Sequence, residues 1–476
     1  MMTPSTWLWV AGLSTVAAGM ALGAEFEPPA APEHPEQLGA NIQRTMTLLA
    51  TSTPEQRNRV RMLFYGQSVT LNPWANAVAE NLGQAYPHAD LEIENRALGG
   101  YSAPTLIHTA EYDLYPFYPD LLIFHVYGGV ETGEQEEIIR RTRQRTTAEV
   151  LLWTSHFRWP PDLPRDGSPD DPAAQSLYQA DEQRAQLIRQ LADKYGCELA
   201  EVREHMREYL AQHGLFPKDT LRDSVHPNEL GNFLIEKLIM PYLRYDPGFP
   251  QEAWRDLVRD VPADSAAVER GADGSLKLIF EGNRIDLIAA HAGEQQLGSA
   301  RVLIDGKPPS QFPELYYHAR PVAAPHTSWP AINRIDHETP LVVEQWTARI
   351  LECDPANKVL KYQVIGSVTG PDGQGDHNER FVSNSGRVVI EPGRWMVCHA
   401  LTYREKPLPD DYEVTWEVKP LFVDVYQPPE TADPAREYAT TLAQGLSNAQ
   451  HTLQLVPNGE GPVPVAAFRI YRPPVP

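Results

Sequence analysis

Val60-Arg61-Met62-Leu63-Phe64-Tyr65-Gly66-Gln67-Ser68-Val69-Thr70 decides the reading of this chain. Residues 60–66 form a mostly apolar run of strand length that stops at a glycine. Ser68 stands two residues beyond it. Glycine permits a tight turn at the strand end, and such a turn exposes the serine hydroxyl. A serine hydroxyl is a poor nucleophile at neutral pH and needs a base within hydrogen-bond reach. The competing reading of Ser68 is a helix-capping serine.

Working outward, strand and helix signals alternate. Residues 73–86 place Trp74, Val78 and Leu82 four apart, as a helix does. Strands are expected at 91–95, 121–126, 149–154 and 197–202. Helices are expected at 102–115, 134–145, 180–195 and 228–243. This alternation predicts parallel strands joined by right-handed crossovers, with ligands beyond the strands' carboxyl ends. Ser68, Gly100, Tyr127 and His156 each fall just after an expected strand.

A second feature lies at Asp223-Ser224-Val225-His226-Pro227-Asn228. An acid three residues before a histidine, in a turn, can fold back onto the imidazole. The carboxylate then holds the Nδ1 proton and leaves Nε2 free to take a proton from serine. Pro227 suits the opening of the last helix. The competing reading is an ordinary helix start with a surface histidine.

In this order, Gly66-Gln67-Ser68, the glycines closing Asn95-Arg96-Ala97-Leu98-Gly99-Gly100, and Asp223 to His226 resemble the sequence blocks of SGNH/GDSL hydrolases, over about residues 60–243. The resemblance implies a flavodoxin-like, three-layer α/β domain with a parallel sheet. It implies Ser68 as nucleophile, His226 as base and then acid, Asp223 as the group orienting His226, and the amides of Ser68 and Gly100 as oxyanion donors. One block departs. The family carries Gly-x-Asn-Asp after its third strand, and the asparagine is a third oxyanion donor. Here the residues are His125-Val126-Tyr127-Gly128-Gly129-Val130, with Gly129 about where the asparagine is expected. The substitutes open to the chain are an amide of Gly128 or Gly129, or the side chain of Tyr127, His125 or His156. Tyr127, His125, His156 and Trp159 are also candidates for a pocket wall; indoles stack on sugar rings, and core packing explains tryptophan equally well.

After residue 246 helical periods fade, and short strands recur between turn signals such as Asp305-Gly306 and Pro457-Asn458-Gly459. An antiparallel β-sandwich is expected over 260–476, interrupted by one helical stretch at 434–444. The segments 280–288 and 302–307 resemble jelly-roll accessory modules attached to some bacterial carbohydrate esterases. A shielding role and a carbohydrate-binding role are equally open for it.

Residues 7–23 form an apolar run followed by the small residues that signal peptidases accept, so 1–24 reads as a signal peptide and the protein as exported, periplasmic or extracellular. A single membrane anchor is the alternative. Residues 25–58 read as an N-terminal lead with helices, and 59–246 as the hydrolase domain. The net charge of −22, from 63 acidic and 41 basic residues, repels phosphate backbones and anionic lipid. Neither nucleic acid nor a stable membrane partner is expected. Cys197, Cys353 and Cys398 are too few for a disulfide framework, and free thiols are favoured over a Cys353–Cys398 pair. No phosphate loop or zinc spacing occurs, and no metal or cofactor is expected. The expected substrate is an acylated carbohydrate or other ester, acetyl esters first. A lipid or aryl esterase of the same fold, and an inactive glycan-binding protein, are the alternatives.

Overall fold

The computed structural model describes residues 26–292 and 296–475. The expected signal peptide lies outside the described residues. None of the described helices is long and apolar enough to cross a membrane.

Five parallel strands, β1 (Arg59–Gly66), β2 (Asp90–Asn95), β3 (Leu121–His125), β4 (Glu149–Trp153) and β5 (Glu198–Ala200), form a sheet in the order β2-β1-β3-β4-β5. The helices before, between and after them are α1 (Gln43–Ala50), α2 (Pro73–Ala85), α3 (Ala103–Asp113), α4 (Glu134–Arg145), α5 (Pro172–Tyr195), α6 (Val202–His213) and α7 (Glu229–Ile239). Alternate residues of β1 face opposite layers. Val60, Met62 and Phe64 pack with Trp74, Val78, Met206 and Leu234 of α2, α6 and α7. Leu63 and Tyr65 pack with Leu106, Ile138 and Ile188 of α3, α4 and α5. Every residue of β3 and β4 is buried, because helices cover both faces. The fold is therefore the doubly wound α/β architecture expected. The strand order reverses between β1 and β3, and it is beyond the carboxyl ends at such a reversal that sheets of this kind hold ligands.

Antiparallel strands begin at Val258–Pro262. They form two main sheets with separate hydrophobic cores. One is centred on the long strands Leu276–Ala289 and Ala439–Pro457, and the other on Gln345–Asp354, Val359–Gly366 and Glu413–Pro420. The helix expected at 434–444 is instead the start of Ala439–Pro457, where Thr441 pairs with Asp286 and Gln444 with Arg284. Leu442 and Ala443 are both buried there, and sheet pairing overrides the helical tendency of the local sequence. A helix that the sequence pattern did not announce, Val397–Arg404, lies in this region. All three cysteines are free thiols.

The antiparallel region docks directly on the parallel-sheet layer. Tyr118 donates to Asn283 Oδ1 at 2.9 Å, and Gln444 Nε2 donates to the Pro116 carbonyl at 3.0 Å. The Tyr112 hydroxyl reaches the carbonyls of Ile332 and Asn333, and the Tyr101 hydroxyl donates to Asn333 Oδ1 at 2.7 Å. The aromatic loop at 115–118 is thus part of the docking face. These bonds bring the segment around Trp329 to the carboxyl end of β1.

Candidate active site

The turn that carries Ser68 depends on Gly66. Its φ is +154°, and a Cβ there would lie 2.3 Å from the His125 carbonyl oxygen, so only glycine lets β1 leave the sheet against β3. Gln67 follows in extended conformation, and its side-chain oxygen accepts from the Tyr127 amide at 3.3 Å. Ser68 opens a single 3-10 turn, Ser68–Leu71. Asn72 Nδ2 donates to the Ser68 carbonyl at 2.7 Å, and Trp74 Nε1 donates to the Val69 carbonyl at 2.7 Å. The serine therefore sits on a turn tied to both the sheet and α2.

Ser68 Oγ lies 2.8 Å from His226 Nε2, and His226 Nδ1 lies 2.8 Å from Asp223 Oδ2. The other carboxylate oxygen, Oδ1, accepts the amides of Val225 and His226 at 2.8 Å each. One oxygen thus closes the turn while the other holds the imidazole. Partial burial pushes the Asp223 carboxyl up, but those two amides and the imidazole outweigh it and hold it below the ordinary aspartate value. Beyond the turn, Asn228 caps α7 by accepting from the Gly231 amide at 3.0 Å.

The residues expected as pocket walls stand behind this turn rather than in an open pocket. Tyr127, His125, His156 and Trp159 are 8%, 1%, 1% and 2% exposed. His156 Nε2 lies 2.8 Å from the Val225 carbonyl, and its Nδ1 lies 2.9 Å from the Tyr127 hydroxyl. Burial pushes the His156 pKa down to about 4, so the ring is neutral at neutral pH. A neutral ring satisfies both contacts when Nε2–H donates to Val225 and Tyr127 donates to Nδ1. The Trp159 amide donates to the Ser224 carbonyl at 2.8 Å. His125 stacks on Trp153 at 3.8 Å and bonds Ser155 Oγ through Nε2 at 2.8 Å; burial holds its pKa well below the ordinary histidine value. Their part is to support the Asp223–His226 turn and the strand ends, a correction that follows from their burial.

The turn after β2 abuts the serine. A Cβ on Gly99 would lie 3.8 Å from Ser68 Cβ, and Gly100 adopts φ +78°. Neither the Ser68 amide nor the Gly100 amide has an acceptor among the described residues. A side chain at residues 128–129 would be crowded. A Cβ at Gly129 would meet Pro104 and Ala103 at 2.6 and 2.7 Å, and one at Gly128 would meet Ser102 at 3.2 Å. The start of α3 occupies the space such a side chain would need. Gly129 is buried against α3, and its amide, like those of Ser68 and Gly100, has no acceptor among the described residues.

One site residue was invisible in the sequence. Trp329, from the antiparallel region, donates through Nε1 to the Gly99 carbonyl at 2.7 Å. Its ring stacks on His399 at 5.2 Å and lies 5.2 Å from the ring of Tyr403, which is 60% exposed. No local motif marks Trp329, because its partner is 230 residues away.

No family model and no curated protein matches the chain. Among solved structures, it is similar to one described as a GDSL-like lipase from Parabacteroides merdae, with 18% identity, a TM-score of 0.34, and coverage of 40% of this chain and 100% of that one. An acetylxylan esterase from Geobacillus stearothermophilus has 17% identity and a TM-score of 0.32, covering 41% of this chain and 98% of its own. A two-domain esterase active on acetylated mannans extends over 92% of this chain and 96% of its own, with 13% identity and a TM-score of 0.33.

Proposed function

We propose that the chain is an exported serine esterase that removes acetyl groups from a carbohydrate through an acyl-enzyme, with residues 59–246 as the hydrolase domain and 260–476 as its accessory region. The observation that carries this reading is the unbroken line from Asp223 through His226 to Ser68, with both contacts at 2.8 Å. That geometry is what base-assisted attack by a hydroxyl requires.

In the first half-reaction Ser68 Oγ bonds to the ester carbonyl carbon while His226 Nε2 takes the hydroxyl proton. The carbonyl electron pair moves onto oxygen, which faces the Ser68 and Gly100 amides. Donors placed where charge develops are worth about 3–4 kcal/mol each in acyl transfer. Collapse breaks the bond to the sugar oxygen, and His226 returns the proton to that leaving oxygen. In the second half-reaction His226 takes a proton from water, the resulting hydroxide attacks the acyl carbon, and acetate leaves as Ser68 regains its proton. Asp223 remains ionised throughout and stabilises the imidazolium.

The carbohydrate assignment is supported by the aromatic surface of Trp329, His399 and Tyr403 beside the Gly99–Gly100 turn, since sugar rings pack on aromatic faces. Export is supported by the apolar run at 7–23 and the small residues after it. Acetate release from a panel of acetylated polysaccharides tests the substrate class. Release by the wild type and not by Ser68→Ala supports it. Hydrolysis of long-chain acyl esters alone would replace it with a lipid esterase.

A further inference from the structure

We propose that Trp329 is a positioning residue for the oxyanion site, through which the antiparallel region takes part in acyl transfer itself. The inference rests on the serine-esterase reading above. The Gly99 carbonyl and the Gly100 N–H belong to one peptide group. That group is planar and trans, so its C=O and N–H point in opposite directions. A hydrogen bond that fixes the carbonyl therefore fixes the direction of the amide. The Trp329 indole makes that bond at 2.7 Å.

Little else restrains this peptide. Gly99 and Gly100 have no side chains, and Gly100 sits at φ +78°, where glycine moves freely. The flanking bonds, Leu98 amide to Gly66 carbonyl at 2.9 Å and Tyr101 amide to Leu98 carbonyl at 3.2 Å, hold the ends of the turn and leave its central peptide free to rotate. Trp329 holds that centre from outside the parallel-sheet layer. The indole is held in turn by its stack on His399, and its segment by the bond from Tyr101 to Asn333 Oδ1 at 2.7 Å. The bond also acts electronically. A donor on the carbonyl oxygen polarises the peptide and strengthens its N–H as a donor, by about 10–30% per bond in linked chains. Both effects act most strongly in the transition state, when negative charge faces the Gly100 amide.

The experiment compares wild type, Trp329→Phe and Trp329→His on p-nitrophenyl acetate. In parallel, it measures binding of a boronic acid, whose boron accepts the Ser68 oxygen and mimics the tetrahedral state. Phenylalanine keeps an aromatic ring and removes the donor; histidine returns an N–H. The expected result is a fall in kcat of ~10-fold for Trp329→Phe with KM within about twofold. Boronate affinity should fall in the same proportion, acetate inhibition should stay unchanged, and Trp329→His should recover part of both losses. A Trp329→Phe enzyme with kcat and boronate affinity within about twofold of wild type overturns the inference and leaves the esterase reading intact. Equal losses in both variants, matching a loss of folded protein by thermal unfolding, also overturn it. A wild type with no Ser68-dependent hydrolysis removes the esterase reading first, and the inference with it.

Discussion

His156 Nε2 lies 2.8 Å from the carbonyl oxygen of Val225, the residue immediately before His226. A buried, neutral imidazole thus clamps the turn that presents the proposed base to Ser68. Replacing it by phenylalanine keeps the volume and leaves the Val225 carbonyl and the Tyr127 hydroxyl without their partner. We predict that His156→Phe lowers stability by ~2 kcal/mol, the range for an orphaned buried polar group. We also predict a fall in kcat of ~10-fold or more with little change in KM, because the loss acts through the placement of His226. Urea unfolding and steady-state kinetics check both.

The buried imidazoles set a pH dependence of stability. His156 and His108 are pushed down to about 4 and His318 to about 3, in each case chiefly by burial. Their folded pKa values lie below the unfolded value, so between about pH 6.5 and 4 the unfolded chain binds more protons. Stability is therefore full above about pH 6.5 and falls as pH drops towards the folded values. For fully buried His156 alone the effect approaches ~3 kcal/mol. Asp113 opposes it: burial raises its pKa to about 6 despite Arg320 and Arg96, so its carboxyl binds a proton earlier in the folded state than in the unfolded one. Glu149 and Glu198, raised by burial, oppose it in the same way, while His125 and His337, lowered by burial, add to it, so the imidazoles outnumber the carboxyls. The expected outcome is a Tm that declines from about pH 7 to pH 4.5, less steeply in His156→Gln. A flat or rising Tm contradicts this.

Asp223 serves both the turn and the imidazole, and the two roles separate in Asp223→Asn. The asparagine oxygen still accepts the amides of Val225 and His226, so the fold survives. Its amide nitrogen is a donor and cannot hold the Nδ1 proton of His226. We predict a fall in kcat of ~1,000-fold or more at unchanged Tm. Circular dichroism with kinetics measures the two separately.

Placing an asparagine at residue 129, as the SGNH/GDSL resemblance would suggest, should harm the protein. Gly129 has φ +88°, and a Cβ there would meet Pro104 and Ala103 within 2.7 Å. Gly129→Asn is expected to lower stability by ~2 kcal/mol or more and to raise no catalytic rate. A faster enzyme would show that the start of α3 yields readily.

Much of this was legible in the sequence, because the signals were local. The apolar run before Gly66 is β1, the acid–histidine spacing at Asp223–His226 is the observed turn, and the strand–helix alternation is the parallel sheet. What was missed depends on distant contacts. The start of Ala439–Pro457 resembles a helix until Thr441 meets Asp286 across the sheet. Tyr127 and His156 follow strands and look like pocket residues until the packing of the Asp223–His226 turn buries them. Trp329 acquires its meaning only when the antiparallel region docks and its indole meets Gly99.

The proposed mechanism makes Ser68 a nucleophile activated by His226. Labelling with a fluorophosphonate tests it most directly, since the reagent bonds covalently to an activated serine oxygen. We predict stoichiometric labelling of the wild-type protein at Ser68, no labelling of Ser68→Ala, and greatly slowed labelling of His226→Ala. A wild-type protein that takes no label and hydrolyses no p-nitrophenyl acetate, or a label that persists in Ser68→Ala, would contradict it.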